Sequence, residues 1–435
     1  MITTLHPPRT HLSAARSGAL RGEVTVPGDK SMSHRALILG ALANGETHIH
    51  GLLEGEDVLH TAAAVRAFGA AVNRIGPGEW RVRGAAWKSP VEPIDCGNSG
   101  TGARLLMGAA AGFPITVTFT GDASLSGRPM ERVLGPLRTM GARTSGETLP
   151  VTIHGGALTG IDFLNEKASA QVKSAILFAG LRARGHVRVV EPAPSRDHSE
   201  NMLRAFGCDI VTDGQSIALG RNRTLTGTGV AVPGDPSSAA FPIAAALLIP
   251  DSEITVRKMM VNPLRAGLLI TLRDMGADIR QDNRRSESGE AVADVTVRAS
   301  ALHGVDVPAV RAPSMIDEYP ILAVAAAFAT GRTTMRGLAE LRVKESDRLA
   351  AMVAGLKACG VDAREEGDDL IVEGNGSPPA GGTEVQAHHD HRIAMSFLVL
   401  GLASEQPVSV DSADMIATSF PDFLPLMRSL GAQIA

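Results

Sequence analysis

Seven short stretches of this chain concentrate residues that could hold anions, move protons or bind a metal. Pro27–Arg35 reads PGDKSMSHR and puts Lys30, Ser31 and Arg35 within six positions. Pro-Gly-Asp is turn chemistry, and Ala36–Leu42 is apolar on every side, so Asp29 or Ser31 should cap a buried helix. The free N–H groups and dipole of such a helix start favour an anion. Lys30 stands at that mouth, with Arg35 one turn below Ser31 on the same side. The chemistry this permits is a phosphate or carboxylate cradle; the plainer alternative is a capped helix with two solvated charges.

The other stretches have the same character. Asp95–Gly102 is a glycine-rich turn followed by Arg104; its glycines permit close backbone approach to a ligand, and Asn98 or Thr101 can cap. Ser169 and Gln171 open an apolar segment, where a cap and a satisfied amide are the plain reading. Gly121–Met130 is a loop that carries Arg128. Asp317 and Glu318 stand at another apolar helix start, as acids that complement a dipole often do. Arg342–Leu349 mixes signs, with Lys344 and Arg348 at i,i+4 and Glu345 and Arg348 at i,i+3. That spacing suits a solvated helix face, or alternatively a general acid held between cations. His388-His389-Asp390-His391-Arg392 invites a metal, but no Cys or carboxylate partner recurs at ligand spacing. No metal is therefore expected.

The elements that must position these residues repeat. An amphipathic segment that ends in glycine and runs into a short strand occurs at Asp57–Val72, Pro129–Arg143, Asp197–Ile210, Pro263–Ile279, Asp347–Val361 and Pro421–Ile434. The glycines (Gly69, Gly141, Gly207, Gly276, Gly360, Gly431) are 72, 66, 69, 84 and 71 residues apart. Each reads as a helix closed by a C′ glycine. Between them lie six strongly apolar segments: Ser31–Ala43, Thr101–Ala111, Ala170–Leu181, Ser238–Leu248, Tyr319–Ala329 and Ile393–Leu402, each followed by a β-rich run. The unit is buried helix, strand, amphipathic helix, strand, about 70 residues long. Two groups of three such units, with apolar helices inside and sheets outside, bury the apolar set economically.

Composition narrows the function. With 435 residues, 44% hydrophobic and 20% charged, the chain is globular and long enough for two or more domains. Net charge is −4, so anion affinity must be local. Aromatic residues make up 3%, too few for a base-stacking channel, and no nucleic-acid partner is expected. No apolar run reaches membrane-span length, so no membrane partner is expected either. Cys96, Cys208 and Cys359 are scattered, as in a reduced cytoplasmic protein. The first 22 residues lack an acid and a hydrophobic signal core, read as a short N-terminal extension, and run into a strand-like Gly22–Val26.

Taken together, the motifs resemble those of the 5-enolpyruvylshikimate-3-phosphate synthases, a family of enolpyruvyl transferases. The resemblance runs from about Gly22 to the C-terminus and rests on PGDKSMSHR, Gly97–Leu105 (GNSGTGARL), Gly121–Met130 (GDASLSGRPM), Ser169–Ser174 (SAQVKS), Leu341–Leu349 (LRVKESDRL) and Asp390–Met395 (DHRIAM). It implies a two-domain inside-out α/β barrel of six βαβαββ repeats, three per domain, with the active site in the interdomain cleft. The expected domains are 1–27 with 236–435 and 28–235, with crossings near Pro27 and Asp235. The implied reaction moves the enolpyruvyl group of phosphoenolpyruvate to the 5-hydroxyl of shikimate 3-phosphate and releases phosphate. By motif position, Lys30, Ser31, Arg35, Ser169, Gln171, Arg196, Asp317 and Lys344 would bind shikimate 3-phosphate. Lys30, Gly100, Arg128, Gln171, Arg348 and Arg392 would hold phosphoenolpyruvate. Asp317 resembles the base for the 5-hydroxyl, Glu345 the acid for the enol carbon, and Lys30 completes the catalytic set. The resemblance implies no cofactor, only small-molecule substrates, and a monomer. Glyphosate competes with phosphoenolpyruvate in this family, and tolerant members carry alanine at the Gly100 position. Two departures stand out: Ala170 in place of a serine, and Thr418 where some members carry lysine. A sister transferase acting on UDP-N-acetylglucosamine carries a reactive cysteine in the loop matching Gly121–Arg128, and this loop has none. A non-catalytic anion clamp is the alternative of a different class.

Overall fold

The computed structural model describes residues 11–435. Each apolar segment forms a helix with nearly every residue buried: Lys30–Leu42, Gly100–Ala111, Ala170–Gly180, Pro236–Leu248, Tyr319–Phe328 and His391–Gly401. Because these helices have no polar face, they must be enclosed by other elements. Small residues let them approach closely. A Cβ on Gly108 would lie 2.3 Å from the Ala175 carbonyl oxygen, so the second and third buried helices meet at a distance that only glycine allows. The six spaced glycines all adopt positive φ, from +83° at Gly360 to +112° at Gly69. Each therefore stops an amphipathic helix in the left-handed conformation and turns the chain into a strand.

The chain divides into two compact units. One comprises the described residues up to Val26 with Gly234–Arg285 and Val292–Ala435; the other comprises Pro27–Pro233 with Ser286–Ala291. Among the described residues, each unit holds three sheets. In the Pro27–Pro233 unit a representative sheet runs Ile94–Asp95, Thr116–Thr120, Val151–His154, Arg143–Ser145. The first pair is parallel and joined across a buried helix, whereas the rest is antiparallel. The repeat is thus strand, buried helix, strand, amphipathic helix, then a hairpin. The strand before the buried helix and the last strand of the hairpin extend the four-element unit read from periodicity.

Two repeats borrow their first strand from far away in sequence. Gly229–Ala231 pairs in parallel with Glu46–His50, and Arg21–Val24 with Glu253–Met260. The sheet of the sixth repeat has three strands and is closed by Leu12–Ala14, antiparallel to Val408–Val410. The N-terminal segment is thus not a bare extension. Leu12–Ala14 is a sheet strand and Leu20 is fully buried, while Arg21–Val24 is the strand expected at its end; the first ten residues of that segment lie outside the described ones. Among the described residues, no helix is long and apolar enough to cross a membrane.

Candidate functional site

In the Pro27–Pro233 unit the helix starts carry the polar residues. Asp29 caps the first buried helix, its Oδ1 accepting from the Met32 N–H at 2.7 Å. Lys30, the first helical residue, pairs with Asp57 at 3.0 Å, and Ser31 is half-buried beside it. Arg35 is not a solvated charge but is only 2% exposed. Its Nη1 donates to the Ser31 carbonyl, its Nε to Ser199 Oγ and its Nη2 to Ser174 Oγ, each at 2.8 Å. Burial lowers its pKa to about 10 against the opposing carboxylates of Asp29 and Glu200, with the Arg196 charge adding to the lowering. It remains a cation at neutral pH.

The second helix start is capped by Ser99, whose Oγ accepts from Gly102 N–H at 3.0 Å. Asn98 and Thr101, the caps expected from sequence, do other work. Asn98 Oδ1 accepts from Arg128 Nη2 at 2.8 Å, and Thr101 Oγ1 accepts from Gln171 Nε2 at 2.8 Å. Gln171 Oε1 accepts in turn from Arg104 Nη1 at 2.9 Å, and the same nitrogen reaches the Gly100 carbonyl at 3.3 Å. Arg128 is 8% exposed and also donates to Ser124 Oγ at 3.1 Å. Gly100, Thr101, Arg104 and Gln171 therefore form one connected group, and Arg128 stands beside it, with its Nη1 3.2 Å from where a Cβ on Gly100 would lie. Ser169 stands at the cap position of the third buried helix without a capping bond from its side chain, and Ala170 begins that helix. Arg196 is half-buried just before helix His198–Ala205.

The second group lies in the Gly234–Ala435 unit and centres on Arg348, which is 1% exposed. Its Nε donates to Asp390 at 2.8 Å, Nη2 to Glu345 at 2.5 Å and to Asp390 at 3.2 Å, and Nη1 to Asp317 at 3.2 Å. The solvated-face expectation for Arg342–Leu349 fails here. A 3-10 turn ends at Val343 and the helix begins only at Arg348, so Lys344 and Glu345 are off the helix and Arg348 points inward. Lys344 Nζ pairs with Asp317 Oδ1 at 3.2 Å. Arg392 Nη1 donates to the Asp317 carbonyl at 2.9 Å and lies 3.5 Å from Glu318 Oε1. Burial opposes the Arg348 charge, but the carboxylates of Asp390, Glu345 and Asp317 outweigh it and hold the pKa above its ordinary value.

One guanidinium thus ties together the two carboxylates expected to act as base and acid. Oxygen-rich anions with transferable protons suit both groups, and the comparisons say which chemistry. Residues 15–427 match the family model described as EPSP synthase (3-phosphoshikimate 1-carboxyvinyltransferase). The chain belongs to the EPSP synthase family. It is 60% identical over 432 residues to the 3-phosphoshikimate 1-carboxyvinyltransferase of Phenylobacterium zucineum, covering 98% of this chain and 96% of that one. It is 58% identical over 436 residues to the enzyme of the same name from Caulobacter vibrioides, covering 98% of each. Among solved structures, EPSP synthase from Acinetobacter baumannii superposes with a TM-score of 0.87 at 45% identity, covering 98% of this chain and 99% of that chain. The enolpyruvyl transferase NikO from Streptomyces tendae gives a TM-score of 0.77 at 21% identity, covering 99% of each; this shows the same mixed α/β fold.

Several residues of the EPSP synthase groups were invisible as site residues in sequence. Asp57 and Asp390, the counter-ions of Lys30 and Arg348, sit at helix starts, where an acid has an ordinary reason to be. Glu318 is 2% exposed and takes the Ser237 hydroxyl on Oε1. Ser174 and Ser199, which orient Arg35, carry no pattern beyond lying on buried segments. Thr418 is 6% exposed and donates to the Met415 carbonyl at 2.7 Å. His388 and His389 are exposed, and Asp390 between them and His391 is taken up by Arg348. Burial raises the pKa of Cys96 to about 12, of Cys208 to about 11 and of Cys359 to about 12, so none is a reactive thiolate at neutral pH.

Proposed function

We propose that this EPSP synthase family member transfers the enolpyruvyl group of phosphoenolpyruvate to the 5-hydroxyl of shikimate 3-phosphate with Asp317 as base and Glu345 as acid. The observation that carries these roles is the contact of both carboxylates with the one buried guanidinium of Arg348. The reaction needs one proton removed and one delivered. The 5-hydroxyl oxygen adds to C2 of phosphoenolpyruvate as its proton passes to Asp317, while C3 receives a proton from Glu345. In the resulting tetrahedral adduct, C2 carries phosphate, carboxylate, methyl and the shikimate oxygen. Loss of a methyl proton to the Glu345 carboxylate then re-forms the double bond and expels phosphate.

The charge pattern supports this division of labour. Lys344 and Arg348 both stand against Asp317 Oδ1, where they hold this side chain in place for the 5-hydroxyl. Glu345 meets Arg348 through a single oxygen. Lys30, Ser31, Arg35, Ser169, Gln171 and Arg196 bind shikimate 3-phosphate together with Asp317 and Lys344. Lys30, Gly100, Arg128, Gln171, Arg348 and Arg392 hold phosphoenolpyruvate, with Arg128, Arg348 and Arg392 as buried cations. Such preset cations stabilise charge that develops on the departing phosphate.

The test is phosphate release from phosphoenolpyruvate with shikimate 3-phosphate, with UDP-N-acetylglucosamine, or with neither. Release that depends on shikimate 3-phosphate supports the assignment. Release only with the sugar nucleotide would place the chain with the sister transferases, and binding without release would make it an anion clamp.

A further inference from the structure

One buried acid takes no part in the roles above. Glu290 has 0% exposure, although Ser286 and Gly289 beside it at the tip of hairpin Asp278–Glu287 and Glu290–Arg298 are exposed. The tip turns through Ser288 and Gly289, at φ +48° and +83°. Ser288 Oγ accepts from the Ala231 N–H at 2.8 Å, which docks the tip on the edge strand Gly229–Ala231. Glu290 reaches deeper. Its Oε1 lies 2.8 Å from Nδ1 of His198, itself fully buried, and accepts from Asn201 Nδ2 at 3.3 Å. A carboxylate only accepts, so the proton of this contact sits on His198 Nδ1.

His198 opens a helix whose first three side chains are all engaged. Ser199 Oγ accepts from Arg35 Nε at 2.8 Å and contacts Ser174 Oγ at 2.6 Å. Glu200 pairs with buried Lys173 at 2.7 Å. The turn Arg196–Glu200 is thereby pinned to the hairpin tip, to the first buried helix and to the third. A buried carboxylate is tolerated only where its partners are fixed, so Glu290 and His198 constrain each other. Asp197, His198 and Glu290 also bring ligand atoms within 4.8 Å of one another, but a divalent ion there would meet the Arg35 charge that Glu290 already offsets.

We propose that Glu290 is a positioning residue for shikimate 3-phosphate. Acting through His198, it fixes Arg196 and the Ser199 hydroxyl that orients Arg35. The proposal rests on the roles assigned above to Arg35 and Arg196.

Steady-state kinetics for each substrate, calorimetric affinity for shikimate 3-phosphate and thermal midpoints would be measured on wild type, Glu290→Ala, Glu290→Gln and Ser288→Ala. Glu290→Ala should raise KM and Kd for shikimate 3-phosphate by about tenfold to a hundredfold while leaving KM for phosphoenolpyruvate within about twofold. Glu290→Gln keeps an acceptor oxygen but loses the charge, and should raise the same two shikimate 3-phosphate constants selectively but less, by about threefold to fivefold. Ser288→Ala, which loosens the tip without touching His198, should lower the thermal midpoint and move neither constant. Unchanged shikimate 3-phosphate constants in folded Glu290→Ala would overturn the proposal, as would an equal effect from Ser288→Ala. If Glu290→Ala does not fold, Glu290→Gln decides: a selective rise for shikimate 3-phosphate supports it, and equal or absent shifts refute it. A wild type that neither binds nor turns over shikimate 3-phosphate would instead remove the parent assignment.

Discussion

Replacing His34 should change how stability depends on pH. The ring is fully buried, and its two nitrogens have assignable roles. Thr61 Oγ1 donates to the Asp57 carbonyl at 3.4 Å, so it accepts from His34 Nδ1 at 2.8 Å. Nε2 is then the bare nitrogen, and it receives the Ser99 hydroxyl at 3.3 Å. Burial, with the charges of Lys30 and Arg35 adding and Asp29 opposing, lowers the pKa from 6.5 to about 3. Above pH 6.5 the group is neutral in both folded and unfolded chains and contributes no pH dependence. Below 6.5 the unfolded chain takes a proton that the folded one refuses, so stability falls until about pH 3. At about 1.4 kcal/mol per pH unit, the loss between pH 7 and pH 5 is about 2 kcal/mol. His34→Gln removes this term. Urea unfolding of both proteins at pH 7 and pH 5 isolates it, because other titrating groups cancel in the difference. The wild type should lose about 2 kcal/mol more than the variant over this interval. A wild-type–variant gap that stays constant would refute a neutral, buried His34.

Arg348→Met strands Asp317, Glu345 and Asp390 without their shared cation; unfolding should show a loss of about 3–5 kcal/mol, together with near-complete loss of turnover. A variant as stable as wild type would mean that the three carboxylates do not depend on Arg348. Glu345→Gln should keep calorimetric substrate binding while kcat falls by about two to four orders of magnitude, and wild-type turnover would deny Glu345 its role as acid. Gly100→Ala places a Cβ 2.8 Å from Arg104 Nη1 and 3.2 Å from Arg128 Nη1. Paired kinetics should show the glyphosate inhibition constant rising by about one to two decades and KM for phosphoenolpyruvate rising less. Equal shifts, or a wild type already resistant to glyphosate, would contradict selective shortening of the pocket.

Much of the architecture was legible because its signals are local. A glycine that closes an amphipathic helix and a helix with no polar face each announce themselves within a dozen residues, and all six of each are present. Apart from Arg21–Val24, the strands before the buried helices were not legible. Ile94–Asp95 and Asp306–Val307 are two residues long, too short to alternate, and Gly229–Ala231 finds its partner at Glu46–His50 across most of a unit. In the candidate site the cations stood out as motif residues, but their counter-ions did not. Spacing cannot tell an acid that complements a dipole from one buried against arginine, so Asp57 and Asp390 were passed over. The same ambiguity made Arg348 look solvated: its i,i+3 relation to Glu345 is real, but it spans a helix boundary and not a helix face.

Proton delivery to C3 of phosphoenolpyruvate is the step most specific to the proposed chemistry, and deuterium reports it directly. The wild type would be run in D2O with phosphoenolpyruvate and shikimate 3-phosphate, and the vinyl methylene of the product followed by NMR. Addition–elimination with an exchangeable acid passes through a CH2D group, so the product methylene should carry deuterium, and Glu345→Gln should form almost no labelled product. Product formed at the wild-type rate with no deuterium in its methylene would contradict protonation of C3, and with it the role proposed for Glu345.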